Sequence, residues 1–244
     1  MSNENVISVT NLEVKYDKVA ILKNLNLNIK KGEIVGFIGP SGSGKTTLVK
    51  ALIGMKTPSK GDIEVLGEKM PSLNVVAKVG YMAQADALYD DLTGLDNLLF
   101  FGELYEIKGK AGKDRAMELL ELVNLEKDGR KAVKNYSGGM KRRLSLAISL
   151  MHSPELLILD EPTVGIDPVL RRSFWNEFKR IKSSGGTIII TTHVMDEAYN
   201  CDRLALIRDG EIIADGSPEE IIKASGTSGI EEAFLYYSDG KKGV

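Results

Sequence analysis

Residues 34–55 read IVGFIGPSGSGKTTLVKALIGM. The first five are an unbroken apolar run, the pattern of a strand buried on both faces of a parallel sheet. The last eleven place Leu48, Leu52 and Met55 at helical spacing. Between them GPSGSGKT, residues 39–46, matches G-x-x-x-x-G-K-[ST] in the context that motif requires, directly after a strand and directly before a helix. Gly39, Gly42 and Gly44 let the backbone wrap a phosphate with its N–H groups, because they tolerate conformations that a side chain forbids. In such a loop Lys45 reaches the β- and γ-phosphates and Thr46 ligates Mg²⁺.

Upstream, VISVTNLEVKY and AILKNLNLNIK place apolar residues at every second position and read as two half-buried strands between Val6 and Lys30. Downstream, residues 61–66 and 79–83 read as further strands. From Leu92 to about Met151 helical periodicity takes over, clearest in LDNLLFFGELYEI, KDRAMELLELVNL and GGMKRRLSLAISLM. The last third alternates again: strand LLILD, helix VLRRSFWNEFKRIKS, strand TIIITT, helix VMDEAYN, strands RLALIRDG and EIIADG, then a tail with one short helix, GIEEAFLYY, and the polar end SDGKKGV. Strands alternating with helices imply a parallel α/β sheet. The expectation is one domain over residues 1–244, its core formed by about 1–84 and 152–225, with a helical insertion at about 85–151 and a short tail at 226–244.

Composition narrows the function classes. Thirty-two Lys plus Arg against 34 Asp plus Glu give a formal charge of -2, so no overall basic field advertises nucleic acid or an anionic membrane, and any anion site is local. The single cysteine, Cys201, excludes an internal disulfide and reads as a small buried or half-buried thiol. The first ten residues, MSNENVISVT, have neither a basic n-region nor an apolar h-region, and no apolar stretch approaches the roughly 18 residues that span a bilayer. Work at a membrane therefore calls for another chain to hold this one there.

Other residues join the loop. LLILDE, residues 156–161, is an apolar strand ending in two acids: Asp160 is placed to hold Mg²⁺ and Glu161 to polarise an attacking water. His193 ends a second buried strand, where such sheets gather their ligands, and could contact the γ-phosphate; His152, in a loop, reads as structural or exposed. Gln84 stands at the junction of core and helical insertion, and Tyr16 ends the first strand with a ring able to stack on a base. NYSGGMKRRL, residues 135–144, looks like a helix start yet carries Lys141, Arg142 and Arg143 near the positive end of the dipole, which suggests that negative charge arrives from elsewhere. Helical spacing puts Met140, Leu144, Ala147, Ile148 and Met151 toward the core, and Lys141 and Arg142 toward solvent or nearby acids.

In this order the residues resemble the ATP-binding cassette ATPases across nearly the whole chain. Tyr16 is similar to their adenine-stacking aromatic, GPSGSGKTT (Gly39, Pro40, Ser41, Gly42, Ser43, Gly44, Lys45, Thr46, Thr47) to the Walker A loop, and Gln84 to the Q-loop glutamine, which also serves Mg²⁺. YSGGM, with Ser137, Gly138 and Gly139, is similar to the signature motif, LLILDEP to Walker B, Asp167 to the D-loop and His193 to the switch histidine. Tyr136 and Met140 stand where the commonest signature has Leu and Gln, and the second change removes one polar side chain near the nucleotide.

The resemblance implies a P-loop NTPase (RecA-like) parallel-sheet core with an N-terminal antiparallel β subdomain and an inserted α-helical subdomain. It implies ATP hydrolysis with Mg²⁺, catalysed by Glu161, His193, Lys45 and Gln84, in a head-to-tail dimer where the signature of one copy caps ATP on the other. YSGGMKRR, LYDDLT and PTVGIDP resemble the branch that energises exporters of drugs, ions or polysaccharides. A separate transmembrane permease subunit is then the partner, met by Gln84 and ADALYDDLTGLDNLLFF, and the place of work is cytoplasmic, peripheral on the inner face of the cell membrane. A cassette ATPase acting on nucleic acid or ribosomes is the alternative. It usually carries two cassettes or a long coiled coil, which this chain lacks, and no nucleic-acid partner is expected. A module that senses ATP without hydrolysing it would not need Glu161.

Overall fold

A computed structural model describes residues 5–240; the first four residues and the last four, part of the polar end of the tail, lie outside the described residues. Two long alternating segments form β1 (Asn5–Tyr16) and β2 (Val19–Lys30), which pair antiparallel, followed by the buried β3 (Ile34–Ile38) and helix α1 (Lys45–Leu52). Gly54, with φ +76°, ends the turn after α1, so Met55 lies outside the helix and is exposed rather than on its inner face. Next come β4 (Lys60–Val65), the two-residue β5 (Glu68–Lys69), the single-turn α2 (Leu73–Val76) and β6 (Val79–Met82).

Three helices, α3 (Gly94–Leu104), α4 (Gly109–Leu122) and α5 (Gly138–Ser149), stand between β6 and β7 (Leu156–Asp160). The chain continues through α6 (Pro168–Ser183), β8 (Thr187–Thr192), β9 (Arg203–Arg208) and β10 (Glu211–Gly216), and closes with α7 (Pro218–Ser225) and α8 (Ile230–Ser238). Of the segment expected as a helix after β8, 194–200, residues Met195–Asn200 form a 3₁₀ turn: Val194 stands at its N-cap with no side chain able to accept from the first-turn N–H groups.

Among the described residues ten strands make two sheets. One is a four-stranded antiparallel sheet in the order β2-β1-β4-β5; the other has six strands in the order β10-β9-β3-β8-β7-β6, parallel except at β10. Alternate residues of the apolar central strands serve opposite faces. Val35 and Phe37 join Ile158, Ile189 and the inner faces of β1 and β2 in one core, whereas Ile34, Ile38, Leu157, Leu159, Ile188 and Ile190 pack under α4, α5 and α6 in another. Two buried faces explain why these strands read as continuous apolar runs, and removing a side chain such as Phe37 would cost about 3–5 kcal/mol. The carboxyl ends of β3, β6, β7 and β8 consequently open on one side of the molecule, the edge at which parallel sheets collect ligands.

Candidate functional site

β3 delivers the chain to the glycine loop, where Gly39 and Gly44 are required by space. A Cβ on Gly39 would lie 2.1 Å from the Ile207 carbonyl oxygen, and Gly44 has φ +107° with the Leu22 side chain 2.8 Å from where a Cβ would stand. Gly44 caps α1 without a side-chain acceptor, so the first-turn N–H groups stay open to an anion. Lys45 is 5% exposed and folds back over the loop, donating to the carbonyls of Gly39 (2.7 Å) and Pro40 (2.9 Å). Burial lowers its pKa from the ordinary value, and the Glu161 and Asp160 carboxylates oppose that. Ser43 Oγ is buried with no partner, an orphan pointing to a missing acceptor.

Tyr16, Ser41, Gly42, Gly44, Lys45, Thr46, Thr47, Gln84 and Glu161 line one cavity of about 360 Å³. Tyr16 is partly exposed, with Lys56 Nζ 4.1 Å from its ring centroid. Asp160, at the end of β7, is 1% exposed; Thr191 Oγ donates to its Oδ1, and its Oδ2 has no partner. An unpartnered buried carboxylate oxygen suits a hard divalent cation that keeps waters and phosphate oxygens as its other ligands. Among the described residues no cluster of three or more His, Cys, Asp or Glu forms a self-contained metal cage.

Glu161 turns the chain away from β7 with φ +53°, a left-handed conformation uncommon for a residue with a side chain. Its N–H is held by the Thr191 carbonyl (3.1 Å) and Thr191 Oγ (3.0 Å), and its Oε1 lies 3.0 Å from His193 Nδ1. His193, just past β8, is exposed.

Ser137, Gly138, Gly139 and Asp167 do not join this cavity; their surface is elsewhere. Ser137 caps α5, its Oγ accepting from Met140 N–H at 3.3 Å, and is exposed with Gly138. Asp167 is exposed and caps α6, accepting from Val169 and Leu170 N–H. The two segments are neighbours, since a Cβ on Gly139 would lie 3.5 Å from the Gly165 oxygen. Tyr136 is structural: it is buried, it donates to the Asp128 carbonyl at 2.9 Å, and its hydroxyl is pushed up to about 12, mainly by burial.

The bases behind the serine correct the sequence reading. Lys141 does meet an acid, Asp90, at 2.7 Å. Arg142 meets an acid too, Asp86 at 3.5 Å, but does not face solvent: it is 7% exposed and donates inward to main-chain carbonyls, because α5 is covered along this stretch, with Leu144 and Leu146 beyond it buried as well. Burial lowers its pKa from the ordinary value, opposed by Asp86, Asp160 and Glu161. Arg143 donates to the Val123 (3.1 Å) and Asn124 (2.7 Å) carbonyls, where a cation suits the carboxyl end of α4. The imbalance at this helix start is thus largely answered within the chain. Two residues of the site, Arg142 and Thr191, were missed; the polar threonine pair that ends the apolar β8 was a signal for the second.

The family model described as ABC transporter matches residues 22–164. The linearmycin resistance ATP-binding protein LnrL of Bacillus subtilis (strain 168) is 39% identical over 241 residues, 94% of this chain and 78% of that protein. The probable multidrug ABC transporter ATP-binding protein YbhF of Escherichia coli (strain K12) is 38% identical over 239 residues; the match takes in 95% of this chain and 41% of that protein, so the chain spans about two fifths of its length. Among solved structures, a dimeric ATP-binding cassette in a post-hydrolysis state bound to ADP and Pi is 27% identical with a TM-score of 0.82, over 86% of this chain and 98% of that one.

Proposed function

The chain belongs to the ABC transporter family, and we propose that it binds ATP with Mg²⁺, hydrolyses it as half of a head-to-tail dimer, and so drives a separate membrane-spanning exporter subunit. One observation carries the reading. Tyr16, the glycine loop, Gln84 and Glu161 share a cavity, while Ser137, Gly138 and Asp167 lie outside it on exposed surface, with the half-buried Gly139 beside them. A second copy is then the natural source of the missing wall.

In that reading the adenine stacks on Tyr16, the loop N–H groups and Ser43 Oγ take the phosphates, and Lys45 leaves the Gly39 and Pro40 carbonyls for them. Thr46, Gln84 and Asp160 hold Mg²⁺, which supplies neutralisation of phosphate charge. Glu161 accepts the proton of the attacking water, held in place by His193. Ser137 and the N–H groups of Gly138 and Gly139 from the partner copy face the γ-phosphate, with Asp167 beside them. The chain then acts as one domain, a core interrupted by the α3–α5 insertion.

No helix among the described residues is long and apolar enough to cross a membrane. The molecule instead offers an apolar groove of about 270 Å³ lined by Met55, Val76, Tyr81, Phe101 and His152, with exposed Tyr89 and Phe100 packed edge-on at 4.7 Å nearby. A contiguous exposed apolar surface of this kind marks an interaction site. We assign it to the membrane subunit, with the protein working at the inner face of the membrane and its cargo chosen by that subunit. Chain captured from detergent-solubilised membranes should carry a membrane-spanning protein and release phosphate from ATP. A Lys45→Ala preparation should keep the partner and lose ATP binding by calorimetry. Unchanged affinity in Lys45→Ala, or a chain recovered alone, would overturn the corresponding half of the proposal.

A further inference from the structure

Arg142 sits in the second turn of α5 and sends its guanidinium away from the helix into the site. Nη1 donates to the Ala83 carbonyl at 2.6 Å and the Gln84 carbonyl at 3.0 Å; Nη2 donates to the Glu161 carbonyl at 2.7 Å and to the Asp160 carbonyl. A single side chain therefore ties the segment after β6 to the segment after β7. Its nearest carboxylate oxygen, Asp86 Oδ1 at 3.5 Å, is itself held by Ser145 Oγ at 2.8 Å. A guanidinium is costly to bury unless its planar fork is well matched, and a lysine could not serve two pairs of carbonyls at once.

The peptide it grips is the unusual one. Glu161 at φ +53° stays in the left-handed region only where its surroundings impose it. Thr191 holds the N–H of that residue and Arg142 holds its carbonyl, so both sides of the turn are fixed from outside the strand. The turn aims the carboxylate at His193 and into the cavity shared with Gln84.

We propose that Arg142 is a positioning residue for ATP hydrolysis, setting the turn at Glu161 and the Gln84 segment from helix α5. The inference rests on the role given to Glu161 above. Since Ser137 caps α5, seating that helix against the partner's nucleotide also aligns the base of the chain's own site. Displacing a reacting group by an ångström costs up to about 100-fold in rate.

The test is a double-mutant cycle on the full chain, reading single-turnover phosphate release together with ATP affinity by calorimetry. Arg142→Lys keeps the charge and loses the fork; turnover should fall by about 10- to 100-fold with ATP affinity held at the wild-type value. In a Glu161→Gln background the same substitution should cost nothing further, because the group it positions is already gone. Should Arg142→Lys fail to fold, Asp86→Asn leaves the four carbonyl bonds in place and should show a smaller loss with the same non-additivity. Losses that multiply across the cycle, or a fall in ATP affinity that accounts for the rate, would overturn the positioning role while leaving Glu161 as base. Wild-type turnover in Glu161→Gln alone would instead remove the base, and the proposal with it.

Discussion

At the scale of single residues, Glu161 is held in a conformation its own side chain disfavours, with the carboxylate beside a histidine and facing a cavity that also holds Lys45. That arrangement suits the role of base proposed for it. Glu161→Gln keeps shape and volume while removing the proton acceptor, so phosphate release should drop by about 10²- to 10⁴-fold with ATP affinity preserved, and wild-type release would exclude Glu161 as base. Asp160, Glu161 and His193 were legible because each follows an apolar strand, where a polar residue stands out. Arg142 was not legible. Heptad-like spacing divides a helix into an apolar and a polar side, and α5 is enclosed on nearly all sides by the second core, so a base at a polar position still lies inside.

At the scale of elements, a small contact at the docking groove sets a pH dependence. His152 stacks on Tyr105 with ring centroids 3.8 Å apart and planes 5° apart, joining the end of α3 to the loop before β7. Burial lowers the His152 pKa from the ordinary 6.5, with Arg115 acting in the same direction and the Val79 main chain opposing. The unfolded chain therefore takes up this proton at a higher pH than the folded one. Its contribution to stability is full above about pH 6.5 and drains as the pH falls through the lower folded value. His152→Phe keeps a ring on Tyr105 and removes the titration, so the loss of urea stability between about pH 7.5 and 5 should be smaller than in the wild type. An equal loss would clear His152 of the effect.

The elements themselves were mostly legible, since β3, β7 and β8 are apolar on both faces and α3 to α6 are long and periodic. Short ones were not. β5 has two residues and α2 four, too few for any period to register. Helix α7 was missed although Ser217 and Glu220 form a reciprocal capping box behind Pro218, a start signal independent of periodicity. The 3₁₀ turn after β8 was read as a helix because six residues cannot distinguish a period of three from one of 3.6.

At the scale of the whole molecule, the two halves of the proposed chemistry point apart. The cavity of the glycine loop opens at the carboxyl edge of the six-stranded sheet, and the Ser137–Gly139 surface stands on the α3–α5 insertion with Asp167 beside it. Association by a two-fold axis would bring each surface onto the other copy's cavity and close both sites at once, which is how a symmetric pair completes a site that neither copy holds alone. No feature of length, charge or periodicity reports such a relation between copies; it came from the resemblance. The direct measurement is the mass of purified Glu161→Gln chain by light scattering, with and without saturating ATP. The account predicts that ATP doubles the mass and that adding Ser137→Arg to the same chain returns it to the monomer while ATP still binds. A chain that binds ATP and keeps its monomer mass, or one that doubles regardless of Ser137→Arg, would contradict it.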